Sequence, residues 1–487
     1  MTPRPGLSFA SSATQSALGG AYLLALASLL DVNTVPYQPS DNTSGLMSGG
    51  TFIQAGAGYA GEAWTRDGAV NAWNAGSLLE PRAAANSLWA AVTRPPDGRL
   101  IVTQDTQWWD QVIWATAAWN HYLATGDQPF LVSAYQTATS TLARRRSLNF
   151  SAAYGLFEGP GFFNDGISGY PAPPADATES RGSFIGSYPA ARTMMTLSTN
   201  CLYYDAYRSA ALMAAALGRP ASEAAALSQA AGALKTAVNQ HLRDPGTGRY
   251  GYFIHGDGPL AGRLDPTEEG AGLSFAVLFG IASPAQAQSV MRQAHVQPCG
   301  ITGTYPSYPR YSDTRPGRHN EIVWPVVQGF WADAAATAGD IARFESEVRS
   351  LAGLASASGQ FAEIYHARTG AVDGGWQTVS GGFPASRWTS EPDQTWSATA
   401  YLRMIHSGLF GMKLTTDGIT FAPTLPPAFG DATLSGLGYR GASLTIALHG
   451  AGNVISSFTI DGAPAEPAAI PASLTGAHAV DITLDSH

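Results

Sequence analysis

Asp165 lies within GLFEGPGFFNDGISGYP, residues 155–171, where no period of two or of 3.6 runs. Phe162, Phe163 and Tyr170 keep it company. An aromatic, poorly hydrated setting disfavours the charged form of a carboxyl group and raises its pKa, so this aspartate has the expected surroundings of a proton donor. Asn-Asp-Gly is also strong turn chemistry, and an Asx turn is the competing explanation. A second acid, Glu363, lies in QFAEIYHARTGAVDGGW, residues 360–376, beside Phe361 and Tyr365. An exposed glutamate at the end of a strand or helix is the alternative there. Two such groups suit glycosidic hydrolysis, in which one carboxyl protonates the leaving oxygen and the other attacks the anomeric carbon or activates a water. Other acids compete. Asp67 follows Arg66, which suggests a buried ion pair or a clamp on sugar hydroxyls, and Glu268 and Glu269 open a helix, where capping and the helix dipole explain them equally well.

The elements that must position these residues are mostly helical. Apolar stripes predict helices over 14–31, 76–94, 107–124, 129–145, 200–216, 220–241, 268–281, 284–295, 320–338, 341–356 and 392–408. A chain with so many helices must bury each on at least one side. A toroid of helix hairpins does so, with inner helices packed all round and outer helices on one face. The long connections, which hold the unusual residues, then gather at one end of the ring. After GLFGM the texture changes to alternating Val, Ile, Thr and Leu between Asp-Gly and Gly/Pro signals. The expected organisation is a catalytic domain over residues 1–411 and a small antiparallel β module over 412–487, the module serving as scaffold.

Composition narrows the function. Of 487 residues, 45% are hydrophobic and only 13% charged, so the chain supports a large core. A net charge of -9 disfavours nucleic acid, and no basic run suits an anionic membrane. The 12 Trp, 19 Tyr and 19 Phe sit largely beside Gly, Pro, Asp and Asn, as in platforms that stack on sugar rings. Cys201 and Cys299 are either free thiols or one disulfide, and ten scattered histidines without an HExxH pattern argue for no metal and no cofactor. ALGGAYLLALASLL, residues 17–30, is too short for a membrane span, and the N-terminus lacks a clear signal-peptide pattern. Compartment and oligomeric state stay open.

The ordered set of segments resembles the inverting (α/α)6 glycosidases of glycoside hydrolase families 37 and 63, the trehalase and processing α-glucosidase kind, with the bacterial glucosylglycerate and mannosylglycerate hydrolases in the same broad group. EAWTRDGAVNAWN looks like the group's early aromatic-acid motif, and HNEIVWPVVQGFWADAA like its Trp-Pro helix. GPGFFNDGISGYP resembles the segment that carries the general acid, which implies that role for Asp165. FAEIYHARTGAVDGG resembles the segment that carries the general base, which implies Glu363. DQTWSATAYLRMIHSGLFGM looks like the closing inner helix of six-hairpin glycosidases. The resemblance covers most of residues 50–412 and implies exo action on a terminal α-linked sugar of an oligosaccharide or small glycoside. It departs in two respects: trehalase fingerprints are missing, and a β module follows the ring, as in debranching and rhamnosidase relatives. Inversion would need the two carboxyls roughly 6.5–9.5 Å apart.

Around this pair, Trp64, Arg66 and Asp67 are expected at the innermost subsite. Trp108, Trp109 and Asp110, at the head of a helix, are either cavity residues or helix packing. Phe163, Tyr170 and Tyr365 supply aromatic surface beside the acids. Asn320, Glu321 and Trp324 are expected to line the pocket, and Trp376, Trp388 and Gln394 to close the aglycone side. Two other functions use the same framework. A lyase or epimerase would recruit His121, His255, His319 or His366, of which His366 is nearest Glu363 in sequence. A non-catalytic carbohydrate-binding protein would be expected to have lost one of the acids.

Overall fold

Inner and outer helices differ in how much of their circumference is apolar or small. Within Gln128–Asn149, residues Phe130, Leu131, Ala134, Ala138 and Leu142 are buried, one stripe at helical spacing. Within Pro325–Ala338, every residue from Pro325 to Ala335 is buried. A helix of the first kind covers a core; one of the second kind lies inside it. The computed structural model describes residues 4–103, 106–171, 182–377 and 386–485, and twelve helices among them alternate between the two kinds. They are α1 Ser12–Val32, α2 65–79, α3 Pro81–Ala90, α4 Ile113–Thr125, α5 Gln128–Asn149, α6 Leu197–Ala216, α7 Ala221–His241, α8 Gly270–Leu278, α9 Pro284–Gln293, α10 Pro325–Ala338, α11 Ile341–Ser358 and α12 395–409.

The even-numbered helices form a ring in which each packs on the next, and α12 returns to α2. Polar contacts close that last seam. Thr399 Oγ1 donates to Asn71 Oδ1 at 3.0 Å, and Arg403 Nη1 donates to Asn74 Oδ1 at 3.3 Å. Each inner helix but α12, which runs on into β strands, turns into its outer partner within a few residues: Gly126 and Gly339, both left-handed, end α4 and α10. The long connections run the other way, from outer helix to the next inner one, so all six arrive at the same end of the ring. This is the mainly α (α/α)6 toroid.

Some boundaries differ from the sequence expectation. The expected helix 76–94 is two helices, because Glu80 leaves the helical region (ψ 66°) and Pro81 opens α3. Residues 65–75, expected as loop, belong to α2, whose small buried positions Gly68, Ala69, Ala72 and Ala75 give no amphipathic stripe. Residues 107–112 form turns rather than the first turns of α4. The helix α1, 21 residues, is long and apolar enough to cross a membrane, which corrects the reading of residues 17–30 alone. Half of its span is buried, with Tyr22, Ala25 and Leu29 fully covered.

Strands β1 Gly6–Phe9, β2 Met412–Leu414, β3 Gly418–Phe421, β4 Ala432–Tyr439, β5 Ala442–Gly450, β6 Val454–Ile460, β7 Ala463–Pro464, β8 Ala469–Pro471 and β9 Gly476–Asp485 make two sheets, ordered β1-β4-β5-β9-β6-β7 and β2-β3-β8. The module is not wholly antiparallel: β5 and β9 run parallel, Ala442 opposite Gly476. The N-terminal strand β1 also joins it, Gly6 opposite Ser435.

Candidate active site

The segments that lead into the inner helices enclose a cavity of about 220 Å³. Asp165 and Glu363 both line it.

Asp165 follows Phe163, a bulky residue held at φ 54°, a conformation that non-glycine residues seldom adopt. The turn is fixed behind it: the Tyr170 hydroxyl accepts from Gly161 N–H at 3.2 Å and donates to the Asn164 carbonyl at 2.7 Å. Polar neighbours then converge on the carboxylate. Gln107 Nε2 donates to Oδ2 at 3.0 Å, Arg66 Nη2 is 3.6 Å from the same oxygen, and His319 Nε2 is 3.3 Å from Oδ1. The network sets the imidazole tautomer. Ser168 N–H donates to Gln377 Oε1 at 3.0 Å, which turns the Gln377 amide so that its NH2 faces His319 Nδ1 at 3.4 Å. Nδ1 therefore accepts, and Nε2 carries the proton toward Asp165. Burial is the largest influence on His319 and lowers its pKa against the pull of Asp165, favouring the neutral ring.

This environment corrects the expected apolar pocket. Burial would raise the Asp165 pKa, but the His319 hydrogen bond and the charges of Arg66 and Arg318 outweigh it and hold the carboxyl well below the usual carboxylate range. Phe163 lines the same cavity, but the groups that contact the carboxylate are polar and come from three other segments, those of Arg66, Gln107 and His319.

Glu363 is 3% exposed. Arg318 Nη2 donates to its Oε1 at 2.9 Å, the Tyr59 hydroxyl donates to the same oxygen at 3.1 Å, and Glu391 N–H donates to Oε2 at 3.2 Å. Arg318 is itself sandwiched, its guanidinium 5.2 Å from the Trp324 ring and 5.0 Å from the Trp388 ring. Its charge also acts on Asp165. Tyr59 has its pKa raised by burial and by the Glu363 charge, so it stays a phenol and a donor.

Of the other residues expected at the site, Trp64, Arg66, Asp67, Phe163, Trp324, Trp388 and Gln394 line the cavity. Gln394 Nε2 donates to Asp67 Oδ1 at 3.1 Å. Trp108, Trp109, Asp110, Tyr170, Asn320, Glu321, Tyr365 and Trp376 lie outside its lining. Asp110 works from behind, 3.3 Å from Arg66 Nη1. Trp109 is fully buried and donates to the Gly161 carbonyl at 3.1 Å. The Tyr365 hydroxyl accepts from Ala362 N–H at 2.8 Å and so braces the Glu363 segment. Asn320 Nδ2 donates to Thr304 Oγ1 at 3.1 Å, Glu321 accepts from Gln297 Nε2 at 2.6 Å, and Trp376 stacks under Arg315. Glu269 is buried behind the Asp165 loop, where burial pushes its pKa up to about 8 against hydrogen bonds from Ser198. His366 is engaged by backbone, its Nε2 2.7 Å from the Asp313 carbonyl oxygen and its Nδ1 accepting from Arg368 and Thr369 N–H, and it lies outside the lining of this cavity. Sequence reasoning missed Tyr59, Gln107, Phe184, Arg318, Gln377 and Trp396. Arg318, two residues before Asn320 in a long loop, was the one with a signal.

A closed (α/α)6 ring with two carboxyls facing one aromatic-rimmed hollow is an architecture of glycoside hydrolases. The chain belongs to one family of them: residues 62–397 match the mannosylglycerate hydrolase MGH1-like glycoside hydrolase domain. Solved structures share the fold. A GH63 mannosylglycerate hydrolase from Thermus thermophilus, in complex with glucose, superposes with a TM-score of 0.53 at 15% identity over 79% of this chain and 99% of that one. A GH78 rhamnosidase from a Bacillus species gives 0.59 at 14% identity over 99% of this chain and 44% of its own. A sialidase gives 0.67 at 15% identity over 91% and 38%. The chain thus spans less than half the length of the last two. No curated protein matches it.

Proposed function

We propose that this chain is a glycosidase that hydrolyses a terminal, α-linked glycosidic bond with inversion of configuration. The observation that carries this reading is that Asp165 and Glu363, from separate segments, line the same cavity with Trp64, Trp324, Trp388 and Trp396 about them. In the proposed reaction Asp165 protonates the glycosidic oxygen as the bond to the anomeric carbon breaks. Glu363 takes a proton from a water that attacks the opposite face. Arg318 and Tyr59 hold Glu363 in place, and both bond the same oxygen, Oε1. Asp67, oriented by Gln394, serves as acceptor for sugar hydroxyls, and the indole faces cover the apolar face of the ring. The named hydrolase neighbour is described with glucose bound, which favours a neutral hexose in this cavity.

Asp165 must be protonated to act, and its surroundings make that form a minority near neutral pH. Entry of a neutral sugar excludes water and strengthens the desolvation that favours the protonated form. The test is a screen of aryl glycosides and oligosaccharides with NMR of the first product anomer, on wild type and Glu363→Gln. The expected result is a β anomer from an α substrate and a fall in kcat of about 10³-fold or more in the variant. A variant as fast as wild type removes Glu363 from the mechanism, and a retained anomer removes inversion.

A further inference from the structure

We propose that Glu269 is a positioning residue for Asp165: through Ser198 it fixes the backbone turn that carries the proton donor. This rests on the acid–base reading above, in which Glu269 takes no part, and Glu269 lies outside the lining of the cavity.

The segment before Asp165 is laced to the first turn of α6. Asn200 Oδ1 accepts from Phe157 N–H at 2.7 Å, Thr196 Oγ1 donates to the Pro160 carbonyl at 2.9 Å, and Thr199 Oγ1 donates to the same carbonyl at 2.7 Å. The last link is Ser198, whose Oγ accepts from Phe162 N–H at 2.8 Å. Phe163, held at φ 54°, comes next, and Asp165 two residues later. Ser198 thus ties the chain down where its left-handed turn begins. A serine hydroxyl that accepts must still place its own hydrogen, and in a helix's first turn it is free to swing toward local backbone groups. Glu269 removes that freedom: Oε1 accepts the Ser198 hydroxyl hydrogen, and Oε2 accepts from Ser198 N–H at 3.0 Å. The same carboxyl fills the space under the loop, since a Cβ on Gly161 would stand 2.7 Å from Oε1.

Helix capping does not account for this carboxyl. Glu269 immediately precedes α8, yet its side chain makes no capping bond to that helix. Ser198 N–H, a first-turn donor of α6 without a partner in its own helix, takes one oxygen. The other oxygen is committed to the hydroxyl that holds Phe162. The glutamate is 1% exposed, and the bonds that offset its burial both come from Ser198. A buried carboxyl held in this way lowers stability, and such groups concentrate at functional sites.

The experiment measures kcat and KM of wild type, Glu269→Ala and Ser198→Ala on a dinitrophenyl glycoside and an alkyl glycoside of the same sugar. A leaving group that departs without protonation does not need Asp165, so a defect that acts through Asp165 spares it. A general loosening of the fold lowers both rates alike. The expected result is a fall in kcat of about 10²-fold on the alkyl glycoside, with the dinitrophenyl rate within about tenfold of wild type and KM within about threefold on both. Equal losses on the two substrates, or wild-type kcat on the alkyl one, overturn the proposal. The double variant should lose no more than the worse single one, and additive losses overturn the route through Ser198. Ser198→Ala, which removes one oxygen, decides the matter should Glu269→Ala fail to fold. Its crystal structure gives a readout besides activity: Asp165 Oδ1, 3.3 Å from His319 Nε2 in the native chain, is expected to move out to about 4 Å or more. An unchanged distance overturns the proposal. Wild type inert on both glycosides defeats the glycosidase reading, while the crystal structure still decides whether Ser198 and Glu269 place Asp165.

Discussion

At the scale of single residues, the site rests on how two carboxyls are held. Asp165 receives a neutral imidazole N–H, an amide N–H and an arginine charge, so its carboxylate is favoured. A group whose pKa is lowered gives up its proton early as pH rises. The share of Asp165 able to donate falls from the acid side, and kcat/KM is predicted to decline through the acidic range toward neutrality. Removing one donor weakens that preference. In His319→Ala the descending limb should move to higher pH by about one unit, with a lower kcat from the looser carboxyl. A pH profile of kcat/KM checks both, and a limb that stays in place or moves down contradicts the assignment. The aromatic sequence neighbours of Asp165 suggested a raised pKa, because sequence shows which residues are adjacent but not which segments converge. Arg66, Gln107 and His319 reach Asp165 from three separate segments, and nothing local to residues 155–171 announces them.

At the scale of elements, loops at the inner-helix N-termini must hold their shape to within a few tenths of an ångström. Gly166, next to Asp165, shows how little room they have: a Cβ there would stand 1.7 Å from Gln377 Nε2. The same Gln377 orients His319 and accepts from Ser168 N–H. Gly166→Ala is therefore predicted to displace Gln377, release His319 and lower kcat/KM by about tenfold or more, with a change in Tm of only a few degrees. Steady-state kinetics with a thermal melt checks this, and wild-type kcat/KM would contradict it. Outer helices were legible where one apolar stripe runs at helical spacing, α9 and α11 most clearly. Inner helices were legible where large apolar residues repeat, as in α4 and α10. In α2 they do not: Gly68, Ala69, Asn71, Ala72 and Asn74 are buried because neighbouring helices press close, and polar pairing to α12 replaces an apolar signal. The β module announced itself by alternation, but the parallel β5–β9 pair did not, since alternation sets faces and not strand direction.

At the scale of the whole molecule, the ring brings distant loops to one hollow, and the β module is fastened beneath it. We propose residues 1–411 and 412–487 as two units that share this fastening. Asp333 on α10 accepts from Arg403 Nη2 of α12 at 2.6 Å and from Lys413 Nζ of β2 at 3.1 Å, and it is 1% exposed in its side chain. Asp333→Ala would leave a buried guanidinium without its partner, at a cost of about 3 kcal/mol or more. Urea unfolding should show that loss, while an unchanged midpoint would contradict it. At the opposite end of the same helices lies the central claim, that Asp165 gives the proton and Glu363 activates the water on one bond. Leaving-group dependence tests it most directly: kcat/KM for Asp165→Asn and Glu363→Gln on a dinitrophenyl glycoside and on an alkyl glycoside of the same sugar. A leaving group that departs without protonation bypasses the acid but not the base. Asp165→Asn is predicted to keep activity within about tenfold of wild type on the dinitrophenyl substrate and to lose about 10³-fold on the alkyl one, while Glu363→Gln loses both. The reverse pattern, with Glu363→Gln spared on the activated substrate, or equal losses for Asp165→Asn on the two, would contradict the assignment.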